Sequence, residues 1–251
     1  MQTNIKFEKQ GQVGILRFER AAKKNALTAQ MYADIATVLE DCREDVKLSC
    51  LVVCGAGADF CAGNDIDDFL NGYDMAAGTP WGRFLDALIT FDKPMLIAAQ
   101  GRAIGIGLTW MLLCDVVVAE ADLRAYAPFV SLGLTPEAAS SSTLQALVGP
   151  RKAFEVFFLG KVLKAQEAQQ WNIVSKISQK GRALEETLEI AQRLAALPQE
   201  ATRQTMSLMR VSRMAADAYA RERQGFMAAL RSDETQCLLT GIRDRMNSKA
   251  K

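Results

Sequence analysis

Short, wholly apolar runs that end in glycine or charge are the feature that most restricts the fold of this chain. They read LSCLVVCGAG, PMLIAAQG and CDVVVAE, at residues 48–57, 94–101 and 114–120. Such runs are typical of strands buried on both faces. Between such runs the apolar spacing becomes helical: Thr28 is a predicted N-cap, followed by a stripe at Met31, Ile35, Val38, Leu39 and Cys42. Buried strands that alternate with helices predict an α/β fold with a layered core.

The two ends of the chain depart from this pattern. GQVGILRFER, residues 11–20, alternates enough to predict a strand that follows a hairpin. From about Arg182 onward the spacing is helical only, with a break at Pro198. Two further helices are predicted over about 200–231 and 232–247, with Ser232 as the N-cap of the second. We expect this terminal segment to pack on the core or to reach a neighbouring subunit.

Residue types exclude several classes of chemistry. The 251 residues contain no histidine, so Ser-His-Asp catalysis, Cys-His catalysis and the common histidine-containing zinc sites are ruled out. Acid–base chemistry therefore needs carboxylate, lysine, tyrosine or cysteine. The 30 basic and 29 acidic residues leave a net charge of +1, which favours neither nucleic acid nor an anionic membrane. The six cysteines lack paired C-x-x-C spacing and are predicted to be reduced.

Targeting and membrane features point to a cytoplasmic protein. The apolar runs are broken well short of the length that spans a bilayer. The first residues, MQTNIKFEKQ, do not have the pattern of a signal peptide. The last residues, NSKAK, lack the S-K-L ending of a peroxisomal protein. We therefore expect a cytoplasmic location and no membrane association.

Two glycine-rich turns that each lead from a buried strand into a helix are candidate sites for chemistry. They are CGAGADFCAGNDI, residues 54–66, and QGRAIGIGLTW, residues 100–110. The first turn of a helix carries unpaired N–H donors, and two such turns facing each other would hold a developing oxyanion. Tight turning alone also explains the glycines. A dinucleotide fingerprint is weak because Phe60 stands at the third glycine position, and the chain has no G-K-[ST] phosphate loop.

Glu137 is a single carboxylate among small and apolar residues, in SLGLTPEAASSS at 131–142. One interpretation is structural: Thr135 is an N-cap, Pro136 is the first helical residue and Glu137 is an acid in the first turn. The other is that Glu137 is a catalytic acid or base. This segment alone favours the structural interpretation.

The order and spacing of several motifs resemble the crotonase superfamily, the enoyl-CoA hydratases and isomerases. The motifs are DFCAGNDI at 59–66 and the long stretch from KPMLIAAQG to LGLTPEAA at 93–139. KKNALT, before the first helix, and VGPRKAFEVFFLGK, at 148–161, agree with it. The resemblance covers about residues 11–177 and is closest to the peroxisomal-type Δ3,Δ2-enoyl-CoA isomerases.

The resemblance implies a fold and an assembly. Residues 1–195 would form a spiral of repeated β-β-α units that binds an acyl-CoA thioester. Residues 196–251 would form a helical segment that mediates a homotrimer or homohexamer. Coenzyme A would enter as part of the substrate, with no separate cofactor and no metal.

The resemblance also implies roles for individual residues. The backbone N–H groups of Ala62 and Ile106 would form the oxyanion hole. The substrate or its CoA part would contact Lys24, Ala26, Gly63, Asn64, Asp65, Ile66 and Phe129. The stretch at 71–84 would be a mobile segment over the acyl tail, because it contains several glycines.

The acids distinguish between reactions. The two glutamates of family hydratases correspond to Thr109 and Phe129 here, whereas the single acid of the isomerase branch corresponds to Glu137. The resemblance therefore implies a shift of a 3-enoyl-CoA double bond to 2-trans-enoyl-CoA, with Glu137 made a stronger base by its apolar neighbours. Two alternatives stay open. One is an atypical hydratase or other crotonase-type acyl-CoA enzyme that uses Asp74, Asp86 or Tyr126, and the other is a non-catalytic CoA-binding protein.

Overall fold

The fold begins with the predicted hairpin. In the computed structural model, which describes residues 4–209 and 212–248, strand β1 (Ile5–Gln10) pairs antiparallel with β2 (Val13–Phe18). The turn uses Gly11, whose φ of +62° suits glycine. Predictions that fall on residues 1–3, 210–211 and 249–251 lie outside the described residues, as do the side chains of 212–216. These residues include the first three of MQTNIKFEKQ and the last three of NSKAK, the segments on which the targeting predictions depend.

Seven more strands complete two sheets. They are β3 (Cys50–Gly55), β4 (Met95–Ala99), β5 (Arg102–Ile104), β6 (Val116–Glu120), β7 (Arg124–Tyr126), β8 (Leu163–Lys164) and β9 (Lys176–Ser178). The large sheet has the order β1-β2-β3-β4-β6-β9, and every pair after the hairpin is parallel. The small sheet has the order β5-β7-β8. The predicted buried strands are confirmed.

Eleven helices occupy the described part of the chain. They are α1 (Ala29–Glu44), α2 (Ile66–Gly72), α3 (Pro80–Ile89), α4 (Ile106–Met111), α5 (Ser140–Val148), α6 (Pro150–Phe158), α7 (Ala165–Gln170), α8 (Ala183–Ala195), α9 (Gln199–Met209), α10 (Ser212–Leu230) and α11 (Asp233–Ser248). Thr28 is the N-cap of α1, as predicted, because its hydroxyl accepts the Met31 N–H at 3.3 Å.

The chain winds as a spiral of strand–strand–helix units. In two successive turns a long strand of the large sheet leads into a short strand of the small sheet and then into a helix: β4-β5-α4 and β6-β7-α5. An isolated parallel bridge between Cys61 and Ala103 brings the preceding turn against β5. The α/β spiral implied by the resemblance is therefore confirmed.

Burial on both faces of the large sheet explains its apolar strands. Leu51 and Val53 belong to the main core, between the sheet and helices such as α1 and α3. Their neighbours Cys50 and Val52 point the other way, into a second core with Ala191 of α8. Alternate side chains of a strand point to opposite faces, so both sets must be apolar.

The C-terminal helices pack on the same chain. Phe226 and Leu230 of α10 and Leu239 of α11 belong to the main core. Helices α9, α10 and α11 occupy the range over which the sequence predicted two helices, and the junction of α9 and α10 at 210–211 lies outside the described residues. The predicted cap is confirmed, since the Thr235 N–H donates to Ser232 Oγ at 3.3 Å.

Asn25 ties the first turn of the spiral to the second. It is fully buried, and its φ of +55° is left-handed. Its Nδ2 donates to the carbonyl oxygens of Ala56 (2.9 Å) and Asp59 (2.7 Å), and its Oδ1 accepts the Arg20 N–H at 3.0 Å. Asparagine tolerates this backbone conformation better than most residues.

Replacing Asn25 by alanine should therefore destabilise the fold strongly. Asn25→Ala leaves two partly buried carbonyls without their donor, and we expect the free energy of unfolding to fall by about 2–4 kcal/mol. Asn172→Ala is the matched control, because Asn172 also has a positive φ of +61° but is exposed; we expect a loss of about 1 kcal/mol or less. Urea unfolding of both variants measures the difference, and equal losses would contradict this role of Asn25.

Candidate active site

The two glycine-rich turns meet, as the sequence predicted. The Ile104 N–H donates to Cys61 O at 2.9 Å, and the Cys61 N–H donates to Arg102 O at 2.9 Å. The start of α4 lies against the same residue, since a Cβ on Gly107 would be 2.8 Å from Cys61 O. Glycine at 107 therefore allows an approach that any side chain would prevent.

The free backbone donors at this junction differ from those predicted. The Ala62 N–H is bonded to Lys24 O at 3.0 Å, so it is not free to bind an oxyanion. This contradicts the oxyanion role predicted for Ala62. The N–H groups of Asn64 and Ile106 have no acceptor within the described residues. For Ile106 the reason is its place as the first residue of α4, where no intrahelical acceptor exists.

Asn64 is held in place on both sides. The Leu27 N–H donates to Gly63 O and the Asp65 N–H donates to Leu27 O, each at 2.8 Å. The side chain is fixed as well, because Tyr32 Oη donates to Asn64 Oδ1 at 2.5 Å. The Asn64 N–H is therefore rigidly oriented.

A cavity of about 660 Å³ lies beside this junction. Most of the predicted site residues line it: Lys24, Ala26, Ala62, Gly63, Asn64, Asp65, Ile66, Phe129 and Glu137. Ile106 is buried next to the cavity, and its neighbour Gly105 forms the wall. The structure thus brings the predicted residues together.

The cavity has a basic, exposed part and an apolar, buried part. Lys23, Lys24 and Arg102 are exposed on its wall. Phe226 and Leu239, which are buried, line the same cavity. An occupant with an anionic part and an apolar part fits this arrangement.

Glu137 is a buried carboxyl on the cavity wall, only 1% exposed. Tyr73 Oη donates to its Oε2 at 3.0 Å, whereas Oε1 has no hydrogen-bond partner within the described residues. Burial raises the pKa of Glu137 to about 7. The Tyr73 hydrogen bond lowers this pKa in part, and the nearby charge of Glu222 raises it.

The segment around Glu137 is a tight turn and not the start of a helix. Helix α5 begins at Ser140, after Ala138 and Ala139, whose φ angles are +56° and +58°. The N-cap interpretation of Thr135 to Glu137 is therefore wrong. Left-handed alanine costs about 1–3 kcal/mol per residue. Such strain persists only where the surroundings impose it, and it is concentrated at functional sites.

The two hydratase positions carry no acid in the structure either. Thr109 is buried in α4, and its hydroxyl donates to Ile106 O at 3.4 Å. Phe129 packs edge-on against Phe226, with the ring centroids 6.5 Å apart. The other carboxylate that the sequence placed here, Asp65, is 2.7 Å from Arg20 and caps α2. Glu137 is thus the buried acid among the described residues that line this cavity.

Sequence reasoning missed Tyr73, which lies in the stretch predicted to be mobile but is buried against other aromatic rings. It is 64 residues from Glu137 in the chain, so no local pattern joins the two.

The alternative candidates have other contacts. Asp74 accepts the Ala76 N–H within its own turn, and Asp86 accepts the Tyr219 hydroxyl at 2.9 Å. Tyr126 does line the cavity.

Within residues 4–209 and 212–248, no three cysteine, aspartate or glutamate side chains are placed to hold a metal ion. Among the described helices, none combines the length and the apolar character that crossing a bilayer requires.

Comparison with known proteins identifies the family. The model of the enoyl-CoA hydratase/isomerase family matches residues 8–243. This chain belongs to that family. A solved structure of an enoyl-CoA hydratase/isomerase from Pseudoalteromonas atlantica T6c superposes with a TM-score of 0.92 and 32% identity, over 97% of this chain and 98% of that one. The chain therefore has the crotonase fold and is an acyl-CoA enzyme of the hydratase/isomerase family.

Relatives of similar identity differ in reaction. Enoyl-CoA delta isomerase 2 of Rattus norvegicus is 33% identical over 207 residues, which cover 80% of this chain and 53% of the rat protein. The chain thus spans about half the length of that relative. The 2,3-dehydroadipyl-CoA hydratase of Escherichia coli is also 33% identical, over 193 residues and 74% of each chain. The choice of reaction within this family depends on the site residues.

The buried acid predicts an unusual pH dependence of stability. The folded-state pKa of about 7 lies above the ordinary value of 4.5, so between these values the folded chain binds more protons than the unfolded chain. The free energy of unfolding therefore falls as the pH rises through this range. Because Glu137→Gln cannot ionise, we expect it to be more stable than the native protein by about 1–3 kcal/mol at pH 8, with little difference at pH 5.

Urea unfolding at the two pH values measures this effect. Glu189→Gln, at an exposed position on α8, is the control and should follow the native protein. A Glu137→Gln variant that is less stable than the native protein at pH 8 would contradict a buried, ionising carboxyl at 137.

Proposed function

We propose that the protein shifts the double bond of a 3-enoyl-CoA thioester to the 2-trans position, with Glu137 as the single acid and base. The observation that carries the proposal is the state of that carboxyl: it is buried on the cavity wall, Oε2 is bonded to Tyr73, and Oε1 has no partner in the described part of the chain. Moving a double bond needs one group that takes a proton from one carbon and returns it to another.

The thioester oxygen would lie between the Asn64 and Ile106 N–H groups. Removing a proton from C2 places negative charge on this oxygen, and two fixed donors stabilise that charge more than they stabilise the neutral carbonyl. One such donor contributes about 3–4 kcal/mol in enzymes of known mechanism. Asn64 takes the place predicted for Ala62, because the Ala62 N–H is already bonded.

The proton transfer would use the free oxygen of Glu137. Oε1 takes the C2 proton, the electron pair moves through the dienolate, and the same oxygen returns the proton at C4. Tyr73 keeps its bond to Oε2 throughout and so fixes the direction of Oε1. A pKa of about 7 leaves a large share of the carboxyl ionised at neutral pH while making it a stronger base than an exposed glutamate.

The cavity walls suit the remaining parts of such a substrate. The exposed cations Lys23, Lys24 and Arg102 offer partners for CoA phosphates. The apolar wall with Phe226 and Leu239 suits an acyl chain. Coenzyme A enters as part of the substrate, and no separate cofactor takes part in this step.

We also propose that the chain assembles into the homotrimer or homohexamer that the family resemblance implies. In support, Phe154, Phe158 and Leu159 are 52%, 57% and 70% exposed at the end of α6, with the two rings stacked 4.5 Å apart. Exposed apolar groups of this size favour an interaction surface. Light scattering distinguishes these assemblies from a 27.5 kDa monomer.

Two substrates separate the isomerase from a hydratase. We expect 3-hexenoyl-CoA to gain the absorbance of a conjugated thioester. Crotonyl-CoA should keep that absorbance, because positions 109 and 129 carry no carboxylate to activate water.

Glu137→Gln should lower the isomerisation rate roughly 10²–10⁴-fold while still binding acyl-CoA. Glu189→Gln is again the control. Loss of the crotonyl-CoA absorbance would favour a hydratase, and binding without turnover of either substrate would favour a non-catalytic protein.

A further inference from the structure

Glu222 of α10 is a second buried carboxyl, and it is near enough to Glu137 for its charge to affect the pKa of Glu137. It is 6% exposed, and its Oε1 accepts the Ser141 N–H at 2.6 Å. Its Oε2 has no hydrogen-bond partner within the described residues. Glu222 does not line the cavity, so it is not placed to touch a substrate.

The start of α5 has no local cap, and Glu222 supplies one from another helix. The N-cap position is Ala139, which has no side-chain acceptor. The first N–H groups of a helix need an acceptor and favour negative charge. The bond from Ser141 to Glu222 meets both needs and joins the start of α5 to α10 across 81 residues.

The capped turn is the one that carries Glu137. The Ser140 N–H donates to Glu137 O at 3.0 Å, and the intervening Ala138 and Ala139 are both left-handed. This strained pair connects the catalytic position directly to the first turn of α5. Whatever fixes that first turn also fixes the direction in which the Glu137 side chain leaves the backbone.

We propose that Glu222 is a positioning residue: by holding the first turn of α5, it maintains the left-handed alanine pair that directs the Glu137 carboxyl into the cavity. The proposal has a structural part, which is independent of the reaction, and a kinetic part, which rests on the proposed function.

The charge of Glu222 has a second consequence. The other titratable groups whose charges interact with Glu137 are Tyr32, Tyr73 and Cys61. Burial raises the pKa of Cys61 to about 12 and the pKa values of both tyrosines well above 10, so all three are neutral near pH 7. Burial raises the pKa of Glu222 as well, and its hydrogen bonds to Ser141 lower it in part. Among the described groups that interact with Glu137, Glu222 is the remaining acid, and its ionised form raises the pKa of Glu137.

The charge effect of Glu222 on Glu137 is tested without any assay of activity. In protein labelled with ¹³C at the glutamate carboxyls, the Glu137 signal is assigned as the one missing from Glu137→Gln, and its titration midpoint is measured. Glu222→Gln keeps an acceptor for the Ser141 N–H but removes the charge, so the midpoint should move to lower pH by about half a unit or more. Tyr73→Phe should move it to higher pH, because a bond to the ionised form is lost.

Glu120→Gln is the matched control. Glu120 is also buried, and its Oε1 also accepts a backbone N–H, that of Gly181 at 2.8 Å. It lies at the end of β6, away from this cavity. We expect its substitution to leave the midpoint of Glu137 unchanged.

The kinetic part uses a variant that removes the acceptor. Glu222→Leu should lower kcat for 3-hexenoyl-CoA about 10–100-fold with KM near the native value, since a small misplacement of a catalytic group costs about that much. Glu222→Gln should restore most of kcat and move the acid limb of its pH profile to lower pH. If Glu222→Leu does not fold, Glu222→Ala, which also removes the acceptor, is measured in its place.

Native kcat in folded Glu222→Leu would overturn the positioning role of Glu222, and an unchanged midpoint in Glu222→Gln would overturn its charge effect on Glu137. Full turnover by Glu137→Gln would instead overturn the proposed function, while the carboxyl titration would still decide the charge effect of Glu222.

Discussion

The hydrogen bond between Tyr73 and Glu137 inside an apolar cavity is the interaction on which this site depends. Burying a carboxyl costs several kcal/mol when it is ionised, and here one 3.0 Å bond to one oxygen offsets part of that cost. The other oxygen has no partner among the residues that the structure describes, and it faces the same environment. A fully bonded carboxylate would be a weaker base, and an exposed one would have an ordinary pKa. The observed carboxyl has neither full hydrogen bonding nor solvent around it, so its pKa, near 7, lies above both of these cases.

The spiral makes this state possible because it brings distant parts of the chain together at one place. Parallel strands stack successive turns, so the segment at Cys61 lies against β5 and the start of α4. Helix α10 then contributes Glu222, which accepts the Ser141 N–H at the start of α5, next to the Glu137 turn. The catalytic geometry proposed for this chain uses backbone donors from two turns and one side chain from a third. Stability and function are therefore in tension at Glu137, since its ionised form destabilises the fold.

Local patterns in the sequence predicted much of the fold. The apolar runs located the buried strands, and Thr28 and Ser232 were recognised as caps because capping involves residues three positions apart. The site was predicted less completely because its decisive contacts are not local. Ala62 was assigned a free N–H although Lys24 O binds it. Glu137 was placed at a helix start, whereas α5 begins at Ser140 and its first turn is capped by Glu222 from α10. No local signal in CAGND distinguishes the N–H of Ala62 from that of Asn64, because the difference lies in Lys24 O, which accepts the Ala62 N–H from the first turn of the spiral.

Family membership establishes an acyl-CoA enzyme of the hydratase/isomerase type, and the acids within the cavity favour one reaction among those of its relatives. The most direct test of this account is a crystal structure with a bound, non-reactive 3-enoyl-CoA analogue. The account predicts the thioester oxygen within about 3 Å of both the Asn64 and Ile106 nitrogens. It also predicts Glu137 Oε1 beside C2, within reach of C4. A thioester oxygen bound elsewhere, or a Glu137 carboxyl turned away from C2, would contradict the account.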